Sequence, residues 1–481
     1  MAVKVTLING DGIGPEVTTA ARRIIDASGV KIDWEVCEAG ANVAKEGGGT
    51  GIPKETADSI ARNGVALKGP LGTPIGPGGK STNVALRKMF ETYGNIRPTI
   101  EIPGVITPYS GRGIDFVIVR ENVEDLYAGI EYMQSPGVAQ CLKLISRKGC
   151  EKISRLAFEF ARSQGRKEVI CTSKATIMQL TEGLLKRTYE DISKDYPDIT
   201  TGHLIVDNCA HQLVKNPEKF DVIVTTNMNG DILSDLSSAL IGGLGFAPGA
   251  NIGDHVAIFE AVHGTAPKYA GKNVINPTAV LLSGVMMLRH LGEFAAAETI
   301  EDALFLTFAR DKKYTRDIAG DQDAVSTTDF TDAVIANLGS RYENKKHHNY
   351  TALHLPKVAK DFDFVKVSQR RVTGLDVFIE TTQELKSLGT ALDALVAETP
   401  FQLKLIANRG MKVYPGEARI APELTDVMRC RFIARNQDED VSDELAFALF
   451  QRVAQHHRWT HIEKLHEFEG KAAYSKSHGE E

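Results

Sequence analysis

One stretch of the sequence, residues 227–235 (NMNGDILSD), runs from the end of the strand-like segment 221–225 into the helix-like segment 232–241. Asp231 and Asp235 are four residues apart, so a helix that begins here places both carboxylates on one face. Like charges at that spacing repel unless a cation lies between them, and oxygen-only ligands suit Mg²⁺ or Mn²⁺ rather than zinc. Asp207, which ends the preceding strand-like segment, is a third candidate ligand. The alternative is a capping Asp followed by a surface Asp, and spacing alone leaves both open.

Similar segments extend outward from this stretch in both directions. The strand-like ones are 3–8, 115–119, 168–172, 201–206, 221–225 and 256–260, and the helix-like ones are 15–27, 152–163, 176–195, 232–241 and 279–293. Strands that alternate with helices predict an α/β architecture with a largely parallel sheet.

A glycine-rich turn, residues 9–16 (NGDGIGPE), follows the first strand and opens the first helix. It does not match the dinucleotide-binding fingerprint, because Pro15 stands where the third glycine is required. We therefore predict a tight structural turn and not a Rossmann fold.

A second glycine-rich loop, beginning at Thr73, leads into a helix-like segment at Ser81. Ser81 is predicted to cap this helix, with Asn83 and Arg87 in its first turns. Arg97 and Arg120 follow, and three arginines near strand and helix ends suit bidentate recognition of several carboxylates. Solvated or ion-paired arginines are the alternative.

Two further segments contain candidate catalytic and binding residues. Tyr127 stands beside carboxylates in residues 120–129 (RENVEDLYAG) and is a candidate proton donor, or else a half-buried packing residue. Lys174 follows the strand 168–172 and is open to the same two interpretations. The loop 260–277 contains His263 and Lys268, and it could wrap a nucleotide with Lys268 beside a phosphate.

Composition limits the function classes. The chain has 481 residues, a formal charge of −6 and 42% hydrophobic residues, which indicates a soluble protein of two or three domains and argues against a main nucleic-acid surface. Its six cysteines have no metal or CxxC spacing and suit a reducing compartment. The first strand begins at Val3, which leaves no room for a targeting peptide, so we expect a cytoplasmic protein.

The sequence pattern changes after residue 339. We predict a linker over 340–363 and then a β-α-β-β-α-β module over 364–481, which is typical of a ferredoxin-like α+β fold. Only the last ten residues look frayed. We expect a structural or assembly role for this module.

The order and content of these motifs over residues 4–338 resemble the isocitrate/isopropylmalate dehydrogenase family, in the bacterial subgroup with an appended C-terminal domain. The resemblance implies a two-domain core, with a large domain over 1–92 and 242–339 and a small domain over 93–241. It also implies a homodimer with shared active sites, in which a compact dimer arm lies near 128–150 and Lys174 and Asp207 enter from the partner subunit.

The resemblance also implies an activity, namely oxidative decarboxylation of isocitrate with NADP and Mg²⁺ or Mn²⁺. It implies carboxylate binding by Ser81, Asn83, Arg87, Arg97 and Arg120, acid–base catalysis by Tyr127 and Lys174, and metal binding by Asp207, Asp231 and Asp235. For the cofactor it implies Thr73, His263, Gly264, Thr265, Ala266, Lys268, Tyr269, Ile275 and Asn276. Lys268 and Tyr269 favour NADP, although the Tyr-x-x-x-Arg pair of some relatives is not recognisable in 315–325 and Thr176 replaces a frequent Asn.

Two other functions compete with this one. An isopropylmalate- or homoisocitrate-type enzyme that uses NAD is the alternative within the family, and the polar pair Ser81 and Asn83 argues for the tricarboxylate instead. From another class, the C-terminal module could sense a ligand or bind nucleic acid. Its mixed surface charge argues against nucleic acid, and no membrane partner is expected.

Overall fold

The computed structural model describes residues 2–47, 50–72, 81–346, 348–355, 358, 365–416 and 423–480. The chain forms two compact units, of which one contains residues 1–128 and 144–360 and the other contains residues 129–143 and 361–481. The finer division of the first unit into a large and a small domain stays a prediction.

The elements alternate as the sequence pattern predicts. The strands are β1 Val3–Ile8, β2 Ile32–Cys37, β3 Val65–Lys68, β4 Gly94–Ile100, β5 Asp115–Glu121, β6 Glu131–Ser135, β7 Val138–Cys141, β8 Glu168–Ser173, β9 Thr200–Ile205, β10 Val222–Thr225, β11 Pro248–Ile252, β12 Ala257–Ala261, β13 Arg370–Glu380, β14 Phe401–Asn408, β15 Met411–Tyr414, β16 Val427–Ala434, β17 Arg458–Phe468 and β18 Lys471–Ala472. The helices are α1 Gly14–Ala27, α2 Ala41–Gly47, α3 Lys54–Asn63, α4 Thr82–Met89, α5 Arg147–Ser163, α6 Thr181–Ile192, α7 Val206–Lys215, α8 Asn227–Leu240, α9 Thr278–His290, α10 Phe294–Ala309, α11 Arg316–Asp323, α12 Thr327–Ala336, α13 Leu385–Val396 and α14 Asp443–His456.

A ten-stranded sheet organises the first unit, in the order β2-β1-β3-β12-β11-β4-β5-β10-β8-β9. Its pairs are parallel except around β11 and β4, which run antiparallel to their neighbours. The central strands β5 and β10 are buried along their whole length. This parallel-rich sheet, flanked by helices, confirms the predicted α/β class.

The helices bury apolar stripes with helical spacing. In α5, Ile153, Leu156, Ala157 and Phe160 recur every three or four residues and are all buried. None of the helices within the described residues combines the length and the apolar character that a membrane span requires.

The first part of the predicted linker 340–363 packs against the first unit. Tyr342 packs against Phe305 with ring centroids 5.8 Å apart, and the Lys345 ammonium lies 2.5 Å from the carboxylate of the buried Asp302. The Arg289 guanidinium lies 3.8 Å from the Tyr350 ring centroid. Residues 340–346 and 348–355, which we call the docked segment, therefore belong to the folded first unit. The sequence pattern does not reveal these contacts, because they come from isolated side chains without periodicity.

The second unit contains an antiparallel sheet in the order β15-β14-β16-β13-β17-β18. Its four long strands follow the β-α-β-β-α-β connectivity of a ferredoxin-like module, as predicted. Leu388 and Leu392 of α13 and Leu449 and Val453 of α14 join one core cluster with the sheet.

The hairpin β6–β7, within the predicted dimer arm, also belongs to the second unit. The Ser135 hydroxyl donates to the Asp426 carboxylate at 2.9 Å. The prediction of a frayed C-terminus is wrong, because the Glu480 carboxylate is 2% exposed and lies 2.8 Å from the Arg431 guanidinium. Arg431 is 1% exposed and also binds Asp376, so the last residues complete a buried ion-pair network.

Candidate active site

Asp231, one turn into α8, is the centre of the site. Its Oδ1 accepts a hydrogen bond from Arg97 at 3.1 Å and another from Arg120, and its Oδ2 accepts one from the Tyr127 hydroxyl. Burial alone would raise the pKa of Asp231, but Arg120 and Arg97 outweigh it and lower that pKa. Asp231 is therefore an ionised carboxylate that neutralises two arginines.

The two arginines come from neighbouring antiparallel strands, Arg97 from β4 and Arg120 from β5. Arg97 is 6% exposed and donates to Asn95 at 2.8 Å and to Ser234 at 2.5 Å. Arg120 is 1% exposed and donates two hydrogen bonds to the side-chain oxygen Oδ1 of Asn227, at 3.1 and 2.7 Å. Both guanidinium groups are thus fixed before any ligand binds.

Tyr127 lies in a single turn of 3₁₀ helix, Leu126–Ala128, at the rim of the cluster. The Arg120 guanidinium lies 5.1 Å from its ring centroid. Burial and the hydrogen bond to Asp231 raise the pKa of Tyr127, so its hydroxyl is protonated at neutral pH. This arrangement suits a proton donor.

A row of polar side chains crosses four neighbouring strands of the sheet. Lys68 on β3 pairs with Glu260 on β12, and Asn251 on β11 pairs with Asn95 on β4. Lys68 and Glu260 form a buried ion pair, the Asn251 amide donates to Glu260 at 2.7 Å, and the Asn95 amide donates to Asn251 at 2.7 Å. These residues are buried polar groups that satisfy one another.

The row also positions two predicted substrate residues. The Lys68 ammonium donates to Asn83 at 2.9 Å, and Arg87 donates to Glu260 at 3.2 Å. Burial alone would raise the pKa of Glu260, but Lys68 and Arg87 hold it well below its usual range. Asn83, Arg87 and Arg97 line one polar cavity of about 300 Å³ with Glu260.

Lys68 and Glu260 are not among the site residues that the sequence predicts. The available signal was a charged residue at the carboxyl end of each of two apolar strands, where ligand sites of parallel sheets lie.

Asp235 lies one turn beyond Asp231 and is 58% exposed, with one oxygen 3.6 Å from Arg97. Burial and the neighbouring Asp231 raise its pKa. Two carboxylates on one helix face, one of them short of positive charge, fit a hard divalent cation. Within the described residues of one chain, no group of three or more His, Cys, Asp or Glu side chains could hold a metal ion. A complete site would therefore need oxygen ligands from elsewhere.

Lys174 and Asp207 stand apart from this cluster. The Lys174 ammonium donates to Asp207 at 2.7 Å, which lowers the pKa of Asp207. Asp207 is 68% exposed, and within the described part of one chain neither residue is hydrogen bonded to Asp231 or Tyr127. A single chain thus brings Arg87, Arg97, Arg120, Tyr127, Asp231 and Asp235 together, but not Lys174 and Asp207.

Most of the predicted cofactor residues surround a cleft of about 470 Å³, namely His263, Gly264, Ala266, Tyr269, Ile275 and Asn276. His263, Gly264 and Thr265 also line the polar cavity, so the two spaces adjoin. Burial lowers the pKa of His263. The glycine-rich turn supports this wall: Ile13 donates its N–H to the Thr265 carbonyl at 3.0 Å, and a Cβ at Gly12 would overlap that oxygen.

Arg316, at the start of α11, also lines the cleft and was not recognised in the sequence. Its guanidinium lies 5.3 Å from the Tyr269 ring centroid, and its carboxylate partner Asp321 is 72% exposed. Lys268 is exposed beside Tyr269.

Two other predicted residues are less defined. Ser81 occupies the N-cap position of α4, but its side chain makes no capping hydrogen bond to the helix, contrary to the prediction. Thr73 lies outside the described residues.

Comparisons with known proteins agree with this geometry. Residues 4–334 match the family model described as isocitrate/isopropylmalate dehydrogenase, and residues 370–480 match the model described as bacterial isocitrate dehydrogenase, C-terminal domain. The chain is 56% identical over 477 residues to a Thermus thermophilus protein named isocitrate dehydrogenase [NADP], covering 99% of this chain and 96% of the relative.

Two solved structures are also similar. One, of a Thermus thermophilus protein, has a TM-score of 0.95 and 55% identity, covering 99% of this chain and 96% of that chain. The other, described as isocitrate dehydrogenase from Methylococcus capsulatus, has a TM-score of 0.67 and 44% identity, and it covers 70% of this chain and 99% of its own.

Proposed function

Because the chain belongs to the isocitrate/isopropylmalate dehydrogenase family, we propose that this site oxidises and decarboxylates isocitrate to 2-oxoglutarate and CO2 with reduction of NADP. The enzyme is an oxidoreductase of the NADP-dependent isocitrate dehydrogenase type. The observation that carries this function is the convergence of Arg97, Arg120 and Tyr127 on the single carboxylate of Asp231. The similarity to an NADP-dependent relative along the whole chain supports it.

The cavity suits a trianion. Arg87 and Arg97 line it with their guanidinium groups already oriented by Glu260 and Asn95, so little reorganisation opposes binding. Asn83 offers an amide to the third carboxylate, and Lys68 fixes its carbonyl oxygen. An apolar side chain of isopropylmalate would leave these polar groups without partners.

Proton transfer falls to Tyr127. When bound, NADP would accept the hydride from C2 of isocitrate while the C2 hydroxyl loses its proton to a general base. The resulting β-keto acid loses CO2, and C3 then needs a proton. The raised pKa of Tyr127 keeps the proton on its hydroxyl until then, and Lys174 of the partner subunit assists as the second acid–base group.

Asp231 and Asp235, with Asp207 of the partner subunit, would hold the divalent cation. When bound, Mg²⁺ or Mn²⁺ supplies Lewis-acid polarisation of the substrate hydroxyl and carboxylate. The exposed, under-compensated Asp235 supports this assignment.

A homodimer with shared active sites completes the catalytic set. Large apolar side chains are exposed on the elements that present Lys174, Asp207 and Asp231: Ile177 is 73% exposed, Val214 42% and Ile232 57%. Large exposed apolar patches mark protein–protein interaction sites, and these three side chains beside functional residues support such a surface here. If a second copy of this chain covered that surface, Lys174 and Asp207 of one copy would lie beside Tyr127 and Asp231 of the other copy.

NADP selectivity rests on Tyr269, Lys268 and Arg316. The 2′-phosphate is a dianion that a guanidinium can bind through two hydrogen bonds. The only carboxylate bonded to Arg316 among the described residues is exposed, so this ion pair is weak and yields readily to a phosphate.

We assign the C-terminal module a role in assembly. The module and the hairpin β6–β7 form one compact unit, and the hairpin exposes Tyr132 by 57% and Met133 by 65%. The Methylococcus capsulatus enzyme matches only 70% of this chain, so the module is an addition to the dehydrogenase core. A hairpin that is held by the module and exposes apolar side chains suits contact with a second copy.

All six cysteines are free thiols, which suits the cytoplasm.

The function itself is tested by steady-state kinetics of the purified protein with isocitrate or isopropylmalate, and with NADP or NAD. We expect isocitrate and NADP to give the highest kcat/KM, EDTA to abolish turnover and Mn²⁺ to restore it. A preference for isopropylmalate would refute the roles of Asn83 and Ser81.

Replacing Arg316 tests the basis of NADP selectivity. We expect Arg316→Ala to raise the KM for NADP about 10- to 100-fold, the effect of losing a charge-assisted pair, and to change the NAD parameters less than about threefold. Calorimetry should show weaker binding of 2′,5′-ADP and unchanged binding of 5′-AMP. The control is Arg310→Ala, an exposed arginine paired with Asp311. Equal losses with NADP and NAD would exclude 2′-phosphate recognition by Arg316.

Mixed dimers test the shared site. We expect Tyr127→Phe and Lys174→Met subunits each to be nearly inactive alone. If every site combines Tyr127 of one subunit with Lys174 of the other, half of the sites in a mixed dimer are intact, so random mixing restores about a quarter of the wild-type activity. Without sharing, every site keeps one defect and mixing restores nothing.

Two truncations separate the module from the docked segment. A chain ending at residue 358 keeps the docked segment. We expect its dimer to dissociate at a higher protein concentration than the full-length dimer, and its activity to fall as the dimer dissociates. A chain ending at residue 342 also loses the Lys345–Asp302 pair, so its unfolding temperature should fall further. Sedimentation and thermal unfolding measure both effects. A stable, fully active dimer of residues 1–358 would refute the assembly role.

A further inference from the structure

Two buried carboxylates that take no part in the proposed chemistry contact the first turn of α8. Asp125 precedes Tyr127 by two residues and is 0% exposed. Glu182 lies in the first turn of α6, eight residues after Lys174, and is also 0% exposed. Each carboxylate therefore lies close in sequence to one of the two proposed acid–base residues.

Asp125 ties the Tyr127 loop to α8. Its Oδ2 accepts the backbone N–H of Met228 at 2.9 Å, and its own carbonyl accepts the N–H of Ala128 at 3.1 Å. Its N–H donates to the Leu144 carbonyl at 2.8 Å. The backbone of Asp125 has a φ of 65°, in the left-handed region that is unfavourable for a non-glycine residue. These contacts hold the loop in that conformation.

Glu182 ties the end of β8 to the same turn. Its Oε2 accepts the backbone N–H of Lys174 at 2.9 Å and the side-chain amide of Asn229 at 3.2 Å. Its Oε1 accepts the hydroxyl of Thr226, the N-cap residue of α8, at 3.1 Å.

A helix N-terminus favours such contacts. Its first N–H groups have no partner within the helix, and its dipole attracts negative charge. Since both carboxylates are excluded from water, their hydrogen bonds are hard to exchange and make rigid connections. Asp231 follows on the same helix within one turn of Met228. The first turn of α8 is thus a common reference for Tyr127, Lys174 and Asp231.

We propose that Asp125 and Glu182 are positioning residues that fix two proton-transfer residues against α8. Asp125 sets the place of Tyr127, and Glu182 sets the place of Lys174, which acts in the active site of the partner subunit. This inference rests on the proposed function, in which Tyr127 and Lys174 move protons. A displacement of about 1 Å at a reacting group can lower the rate about 100-fold, so small shifts of these loops have large effects.

Double-mutant cycles test the proposal. We expect Asp125→Asn to lower kcat about 10- to 100-fold while the KM for isocitrate changes less than about threefold. In a Tyr127→Phe background the same change should lower kcat less than about threefold further, because the group that it positions is already absent. Glu182→Gln should behave in the same way with Lys174→Met.

Conservative variants and a matched control keep the result interpretable. The Asn and Gln variants keep an acceptor oxygen, so we expect them to fold. Asp125→Leu has no acceptor and should lower kcat more than Asp125→Asn does. Ser326→Ala removes a side-chain cap from α12, and we expect it to lower the unfolding temperature without changing kcat.

The outcomes separate two failures. If Asp125→Asn lowers kcat by the same factor with and without Tyr127, Asp125 only stabilises the fold and the positioning role is wrong; the same criterion applies to Glu182 and Lys174. If Tyr127→Phe and Lys174→Met themselves leave kcat unchanged, the proposed function is wrong instead.

Discussion

The site depends on the compensation of clustered positive charge by very few carboxylates. Arg97 and Arg120 share Asp231, and Arg87 and Lys68 share Glu260. Removal of Glu260 would leave the buried Lys68 and Arg87 without a carboxylate partner, and removal of Asp231 would leave Arg120 without one. Either loss is far costlier than the loss of a surface ion pair. The cations still outnumber the carboxylates around the cavity, and that excess is what makes the cavity attractive to a polyanion.

The sheet provides this compensation through register. Lys68, Glu260, Asn251 and Asn95 lie on consecutive neighbouring strands, and Asn95 is paired in turn with Arg120. Because strands are about 4.8 Å apart, the paired residues Lys68 and Glu260, and likewise Asn251 and Asn95, meet directly across the sheet. Asn251 reaches Glu260 diagonally, since the register partner of Glu260 is Gly249. Rigid elements therefore orient the guanidinium groups, and loops supply the groups that move protons.

Sequence patterns predicted the parts that depend on local chemistry. Apolar runs identified the central strands, and the spacing of Asp231 and Asp235 identified the shared helix face. The row of Lys68 and Glu260 depends on which strands become neighbours, and β3 and β12 are separated by almost 190 residues of chain. The docked segment and the buried Glu480 were missed for a related reason, since single side chains that enter distant pockets leave no periodic trace. The resemblance to a family identified residues such as Tyr127, for which the local pattern alone left two interpretations open.

The first turn of α8 links the two halves of the chemistry. Asp231 is satisfied within its own chain by Arg97, Arg120 and Tyr127, whereas Asp235, one turn further, is exposed and has a raised pKa. Within one turn of α8, the negative charge of Asp231 is compensated by arginines, whereas that of Asp235 is only partly compensated. A cation at the exposed Asp235 would neutralise the remaining negative charge. Lys174 and Asp207 are bonded to each other on the surface of the same chain. Within the described residues of one chain, Lys174 and Asp207 do not meet Asp231 and Asp235, and the homodimer that we propose would bring these groups together.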